Sequence, residues 1–263
     1  MKKLALSVGL SLLVVMAACG EQDRPEDIYN RSMDVMDEST ESTHFKQWQT
    51  LNVNGESVRI QSRGAVQLQP FDLYMMATLD LIDFNEPLDY SFRVDGNDAY
   101  IIEDGEPRQF ADDAHDTVVN MINPIDEMQR YKPYEQSMLM KEIEDYYEVS
   151  FRTDVNDHIP LVLEKMQQWG MEDELDGAIE DSIDVQRIDM VAFIDKETYE
   201  LHQLDTRYRF IVELQGDLQQ FDDQQSLRFE YINEVEGDVE EFVRWVLEEE
   251  QRVDEEEEEE EEE

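Results

Sequence analysis

This chain has almost no cysteine. After Cys19 it also has no apolar stretch long enough to cross a membrane. Cys19 is the single cysteine among 263 residues, so the chain has no internal disulfide to form. After Cys19, no apolar run approaches the roughly 20 residues that a membrane-spanning helix needs. We therefore expect everything beyond Cys19 to lie outside the bilayer, without a disulfide framework.

Positive charge is also scarce. Lysine and arginine together number 21 against 67 aspartates and glutamates, which gives a formal net charge of -46. Because no basic patch exists to release counterions, nucleic acid is excluded as a partner. Self-repulsion of this size destabilises a compact chain unless dissolved salt screens it. The composition therefore predicts an acidic, globular and halophilic protein.

The signatures of common enzymes are missing as well. The sequence has no Gly-x-Ser-x-Gly elbow, no glycine-rich phosphate loop and no His-Glu-x-x-His motif. Its histidines, His44, His115, His158 and His202, are scattered along the chain rather than grouped. We predict that the protein is not an enzyme and has no cofactor and no metal site, and we assign no catalytic residue.

The start of the chain has the pattern of an export signal. Two lysines precede an apolar run from Leu4 to Met16, and small residues lead from there to Cys19. A short apolar segment with a positive start and a small-residue end is typical of a cleaved signal peptide. Met16-Ala17-Ala18-Cys19 resembles the lipobox of bacterial lipoproteins, which implies lipidation of Cys19, with palmitate among the acyl chains. The expected location is the extracytoplasmic face of the cell membrane, where the acyl anchor holds the protein.

Composition shifts divide the chain into four parts. Residues 1–18 are the predicted lipoprotein signal peptide, and residues 19–24 form a short polar tether. A single domain is expected over 25–250. The last stretch, 251–263, is almost entirely acidic, and we predict that it is a disordered tail.

Most of the domain shows the period-two alternation of β-strands. Apolar and polar residues alternate from Phe45 to Val53, Asn54-Gly55 is a strong hairpin signal, and the alternation resumes at Val58. Further strands are predicted over 71–82, 88–94, 99–103, 146–152, 185–194, 199–214 and 226–235. The short connections between neighbouring strands indicate antiparallel meanders.

Helical spacing appears at the two ends of the domain and in its middle. Pro25 opens the first predicted helix, and Asp238 begins the last one. Between them, residues 112–145 have helical spacing with a break at Pro133, and Asp157 is the predicted N-cap of another helix. Two meanders thus flank a helical insert, which is an α+β arrangement.

The element order and one short tract resemble a known family. The lipobox, the helix from Pro25, the Trp48–Val53 strand with its hairpin and the tract 193–201 (FIDKETYEL) are similar to those of uncharacterised Gram-positive lipoproteins with a LolA/LppX-like fold. The resemblance implies a curved antiparallel sheet, a half-barrel, whose concave face is covered by helices and holds a lipid or lipid-like group. The family's pattern includes no catalytic residues.

Methionines in the helical insert are the candidate ligand-binding residues. Met121, Met128, Met138 and Met166 fall within residues 112–180, with Trp169 nearby. Flexible, polarizable side chains suit varied apolar ligands, although the same residues also suit a gap between helices and sheet. Two functions therefore stay open: a lipoprotein that binds a lipid or other hydrophobic small molecule, or a non-enzymatic structural or interaction lipoprotein of the cell envelope with a filled core.

Overall fold

The computed structural model describes residues 24–81, 86–96, 98–103, 106–109, 124–171 and 177–261. These residues contain one large sheet, and its strands are β1 (Ser42–Val53), β2 (Glu56–Leu68), β3 (Phe71–Asp80), β4 (Leu88–Asp95), β5 (Asp98–Glu103), β6 (Glu106–Gln109), β7 (Leu139–Ile143), β8 (Tyr146–Thr153), β9 (Asp184–Asp195), β10 (Leu201–Leu214) and β11 (Asp217–Glu230). The helices are α1 (Pro25–Glu38), α2 (Pro124–Tyr131), α3 (Ile159–Gln168), α4 (Gly177–Glu180) and α5 (Val239–Glu261). Short 3₁₀ segments cover Lys132–Ser137 and Asn156–His158.

The sheet is an antiparallel half-barrel. Its 11 strands lie in the order β6-β5-β4-β3-β2-β1-β11-β10-β9-β8-β7, so two meanders meet where β1 pairs with β11. Strands β6 and β7 are the edges of this order, and the sheet curves without closing. This arrangement confirms the predicted α+β fold with a curved antiparallel sheet.

Side-chain alternation gives the sheet two faces with different partners. Phe45, Val66 and Leu73 point to the concave side, which we call the inner face, and join the large core that includes side chains of α1, α2 and α3. Ala65 and Tyr74 point to the opposite, outer face, where they pack with side chains of α5. Helices therefore cover the inner face as predicted, and the C-terminal helix lies on the outer one.

Several local signals act as the sequence predicts. Asn54 and Gly55 adopt positive φ angles of 54° and 93° in the β1–β2 turn, the backbone that a tight hairpin requires. Asp238 begins α5, because its Oδ1 accepts hydrogen bonds from the backbone N–H groups of Glu240 and Glu241 at 2.9 and 3.1 Å. Pro25 occupies the first turn of α1.

The helical prediction for residues 112–145 is wrong over its C-terminal part. Helix α2 ends at Tyr131, a 3₁₀ segment containing Pro133 follows, and residues 139–143 form β7. Met138 therefore lies in extended backbone between the 3₁₀ segment and a strand, not on a helix. Pairing of β7 with β8 decides the conformation, because tertiary context overrides weak local spacing in short segments.

Three smaller boundaries also differ from the sequence prediction. Asp157 lies inside a 3₁₀ segment, and His158 is the N-cap position of α3. The strand predicted over 226–235 is β11, which begins at Asp217 and ends at Glu230. Helix α5 continues to Glu261 through the stretch predicted as a disordered tail. The intrinsic helix propensity of glutamate favours this continuation, whereas repulsion between like charges three and four residues apart opposes it.

Gly64 in β2 packs closely against Phe45 and the backbone of β3. A Cβ atom at this position would lie 2.8 Å from Cζ of Phe45 and 3.0 Å from Cα of Met75, and it would also meet the carbonyl oxygen of Tyr74. Strand backbone and a buried ring have little freedom to move away. Only glycine therefore fits here.

We expect Gly64→Ala to lower the free energy of unfolding by about 1–3 kcal/mol or more, because the new methyl group overpacks the core. Urea denaturation measures this loss. The control is Gln61→Ala at an exposed position of the same strand, which should stay within about 0.5 kcal/mol of the parent. An equally small change in Gly64→Ala would show that the core accommodates the methyl group.

Candidate ligand-binding face

Burial divides the inner face of the sheet into two parts. Under α1, α2 and α3, most inner side chains of β8, β9 and β10 are buried, and Ile188, Met190 and Tyr208 are 0% exposed. Helix α1 contacts these three strands directly. We call this part of the inner face the filled half.

On β1 to β5 some inner side chains, such as Phe45, Leu73 and Val94, are also buried, whereas others are less covered, and we call the less covered part the open half. Its partly exposed apolar side chains are Leu51, Val53, Val58, Ile60, Leu79, Tyr90, Phe92 and Ile101. Cross-strand register makes several of them direct neighbours: Leu51 pairs with Val58, and Ile60 pairs with Leu79. Neighbouring partners in a sheet have Cβ atoms about 4.5–5.5 Å apart, so these side chains form one continuous apolar surface.

A row of polar side chains lies between the two halves, and we call it the polar stripe. Its members are Gln47 and Gln49 of β1, Ser62 of β2, Lys165 of α3, Thr206 of β10, and Asp223 and Gln225 of β11. Ser62 donates a hydrogen bond to Gln47 at 3.2 Å, and Nε2 of Gln49 donates to Oδ1 of Asp223 at 2.8 Å. Most of these residues are buried, so their mutual bonds replace those with water.

A buried ion pair forms the centre of the polar stripe. Lys165 and Asp223 have side chains that are 3% and 0% exposed, and Nζ lies 3.3 Å from Oδ2. The ammonium group also donates to Oε1 of Gln225 at 2.9 Å and lies 5.4 Å from the ring centroid of Tyr208. Removing two charges from water costs about as much as their attraction returns, so such a pair is weak support for a fold.

Three tyrosines extend the polar interior beneath the helices. The hydroxyl groups of Tyr131 and Tyr208 lie 2.7 Å apart, and Tyr29 donates to the carbonyl oxygen of Met128 at 2.9 Å. Burial raises the pKa of all three phenols well above the ordinary value, and the nearby Glu127 carboxylate raises it further. They are therefore neutral hydrogen-bonding groups at neutral pH.

Three of the four sequence-predicted methionines lie in the filled half. Met128 and Met166 are 0% exposed and Met138 is 5% exposed, and all three belong to the core under the helices. Met121 lies outside the described residues. The partly exposed apolar surface is formed by other residues, on β1 to β5. A ligand contact by the methionines stays a prediction.

Trp169 stands at the end of the filled half nearest the hairpin turns. It is half-buried and stacks on Phe221 at 5.5 Å between ring centroids, and Phe221 stacks on Phe210 at 5.0 Å. Val53 of the open half pairs in register with Phe221. Trp169 thus stacks on a residue that pairs directly with a member of the open half.

The open half and the polar stripe were not found by sequence reasoning. Lys165 could have indicated the polar stripe, because it lies four residues after Leu161 on the apolar side of α3, where a charged residue is unexpected. Another such residue is Asp223, which falls on the inward-facing positions of β11 between Phe221 and Leu227. Charged residues at core positions of amphipathic elements are rare and point to buried polar chemistry.

Ion pairs fix helix α5 to the outer face. Glu250 lies 2.6 Å from Nζ of Lys46 and 2.7 Å from Nη1 of Arg63, and Lys46 also lies 3.0 Å from Glu230. Buried His44 completes this group, with Nδ1 3.5 Å from Oε2 of Glu230. The His44 ring is the largest cause that lowers the pKa of Glu230 to about 2, and Lys46 adds to it, while partial burial acts in the opposite direction.

The Glu230 contacts predict a pH-dependent contribution to stability. Because the pKa falls from 4.5 in the unfolded chain to about 2 in the folded one, the stabilisation is complete above about pH 4.5 and is lost as pH falls towards 2. Glu230→Gln should therefore be less stable than the parent at neutral pH, and this difference should shrink in acid. Urea denaturation between about pH 7 and pH 3 measures it. The exposed control Glu56→Gln should show no such trend, and a pH-independent difference for Glu230→Gln would contradict the assignment.

A cavity of about 920 Å³ lies beside α5 on the outer side of β1 to β6. Its positively charged lining residues already have acidic partners. Lys46 and Arg63 bind Glu250, Arg244 binds Glu240, and Arg93 contacts Asp72, Asp238 and Glu240. These pairs account for the attachment of α5 and leave this cavity without an unpaired cation among its lining residues.

The chain belongs to a family of unknown function, DUF6612, whose model matches residues 25–238. None of the curated proteins matches the chain. Among the described helices, none is long and apolar enough to cross a membrane. In the described part of the chain, no three His, Cys, Asp or Glu side chains converge as metal ligands would.

Solved structures of similar fold include lipoprotein LppX from Mycobacterium tuberculosis, at 12% identity, with 81% of this chain and 97% of that chain covered and a TM-score of 0.41. LprF from Mycobacterium bovis is similar at 10% identity, with 81% of this chain and 94% of LprF covered and a TM-score of 0.43. A LolA superfamily protein from Nitrosomonas europaea has 8% identity, 80% and 92% coverage and a TM-score of 0.23. The family match confirms the predicted resemblance to an uncharacterised family, and the similarity to these solved structures concerns the fold alone.

Proposed function

We propose that this protein is a lipid-anchored extracytoplasmic lipoprotein that binds a lipid or other hydrophobic molecule on the open half of its inner face. The role is one of binding, without chemical change of the ligand. Cys19, which lies outside the described residues, is the proposed site of acylation, and the lipobox resemblance is its support.

The observation that carries the binding proposal is the open half itself. Its apolar side chains form a continuous surface across β1 to β5, and they remain partly exposed although they belong to the face that forms the core. A continuous exposed apolar surface is costly in water and commonly marks a binding site. The neighbouring polar stripe supplies the few directed hydrogen bonds that ligand sites combine with apolar walls.

Adjacent residues on opposite faces of β2 provide a matched test. Ile60 belongs to the open half, and Gln61 lies on the outer face. Ile60→Glu places a carboxylate where a ligand must exclude water, whereas Gln61→Glu adds the same charge on the other side. We expect Ile60→Glu to weaken uptake of pyrene, an uncharged apolar fluorophore, about tenfold or more, because the carboxylate loses its hydration when the ligand binds.

Fluorescence titration measures pyrene uptake, and thermal melts show that both variants fold. Gln61→Glu should bind pyrene as the parent does. If the parent does not take up pyrene, or if the two variants bind it equally well, the binding proposal is wrong.

A structural or interaction lipoprotein is the second candidate. The complete burial of Met128 and Met166 favours it, because these methionines fill the space between helices and sheet where the sequence suggested a ligand wall. The two candidates differ at the open half. Absence of pyrene uptake by the folded parent would favour the filled-core alternative.

A further inference from the structure

The geometry points to a ligand whose polar group is uncharged and carries hydroxyl groups, as the glycerol of a monoacylglycerol does, held at the polar stripe while its acyl chain lies on the open half. This inference rests on the proposed function and names the ligand class of the same site. Three observations support it: the position of the stripe, its charge and its unpaired atoms.

The polar stripe lies at the border of the open half. Gln49 pairs in register with Ile60 on one side, and Leu51 pairs with Asp223 on the other. An acyl chain that covers Leu51 and Ile60 therefore lies beside Gln49 and Asp223. The head of an amphiphilic ligand and its tail would then each meet side chains of matching polarity.

The charge of the stripe argues against an anionic head group. Lys165 is its only cation, and this ammonium group is already neutralised by Asp223 and bonded to Gln225. No positive charge is left in the stripe to hold a carboxylate or a phosphate. The net charge of -46 on the whole chain further opposes the approach of an anion.

The unpaired atoms of the stripe fit hydroxyl groups. Thr206 is 6% exposed, and its Oγ1 has no hydrogen-bond partner in the described part of the chain. Oδ2 of Asp223 faces Lys165 at 3.3 Å but accepts no aligned hydrogen bond. Because Thr206 pairs with Gln225, two residues along β11 from Asp223, the two atoms lie on neighbouring rows of one face. A hydroxyl group both donates and accepts, so hydroxyl groups on a ligand match an unpaired threonine hydroxyl and an unpaired carboxylate oxygen better than a purely accepting head group does.

Three ligands with the same acyl chain test the inference on the full-length protein. Monoolein carries two free hydroxyl groups, oleate carries a negative charge, and methyl oleate carries neither. Competition with bound pyrene gives their relative affinities. We expect monoolein to bind about tenfold more tightly than the other two, because one well-made hydrogen bond in a buried site changes affinity by this factor.

Thr206→Val removes the hydroxyl group and keeps the shape of the side chain. We expect it to lose most of the preference for monoolein while methyl oleate binds as before, and Thr206→Ser should restore the preference. The control is Thr50→Val, because Thr50 follows the inward-facing Gln49 on β1 and so faces the outer side. Equal or tighter binding of oleate, or an equal loss for all three ligands in Thr206→Val, overturns the inference. Pyrene uptake without a monoolein preference overturns this inference alone, whereas no binding of pyrene or any of the three ligands refutes the proposed function as well.

Discussion

Lys165→Met should lower the free energy of unfolding by about 3–5 kcal/mol, the usual cost of leaving one charge of a buried ion pair without its partner. Asp223 is 0% exposed, and after the substitution its carboxylate keeps only the hydrogen bond from Gln49. Neither solvent nor another cation in the described part of the stripe can compensate the charge. Urea denaturation at neutral pH measures the loss.

Two further variants show whether the loss comes from the charge or from packing. The double variant Lys165→Met/Asp223→Leu removes both charges and should recover most of the stability, since apolar replacements of buried pairs are often neutral. Lys141→Met makes the same change in a pair that is 70% exposed on the lysine side, and it should stay within about 0.5 kcal/mol of the parent. A double variant as unstable as Lys165→Met would mean that the methylene chain of Lys165, not its charge, holds the site together.

The double variant also connects stability to function. If the ion pair serves binding, a folded double variant should lose the preference for a hydroxyl-bearing ligand while it still takes up pyrene. This outcome would separate the function of the pair from its small net effect on folding.

Cys19→Ser should move the protein almost completely from the membrane fraction to the aqueous phase. A multiply acylated cysteine anchors a protein firmly, whereas a serine at this position accepts no such lipid. The charge of -46 opposes any residual adhesion to anionic lipid surfaces. Detergent phase partitioning measures the shift, and the mass of the mature chain shows whether the signal peptide has been cleaved.

Gly20→Ser is the matched control for the anchor. It makes a similar small change next to Cys19 and leaves the thiol in place, so membrane retention should persist. A cleaved Cys19→Ser protein that stays with the detergent phase would contradict acylation of Cys19.

The fold could largely be predicted because its signals are local. Asn54-Gly55 fixes a hairpin through backbone angles that few other residue pairs adopt, and Asp238 begins a helix through its own side chain. Strand alternation then separates inner from outer residues within each strand. Together these signals are sufficient for two meanders and a helical insert.

The candidate site could not be predicted in the same way, because it depends on long-range pairing. Lys165 and Asp223 meet only after α3 docks on the sheet and β11 pairs with β1 and β10. No local pattern specifies that register, and in a chain with 67 acidic residues a single aspartate is not conspicuous. The conformation at Met138 could not be predicted for the same reason. The pairing of β7 with β8, not the local spacing of apolar residues, decides it.

The central claim is that the inner face binds a lipid-like molecule. Native mass spectrometry of the protein purified from the cells that make it tests this claim most directly. We expect a mass above that of the acylated chain, lost after extraction with organic solvent, reduced in Ile60→Glu and retained in Gln61→Glu. If the parent and Gln61→Glu both show only the mass of the acylated chain, with no bound molecule, the result would contradict the account.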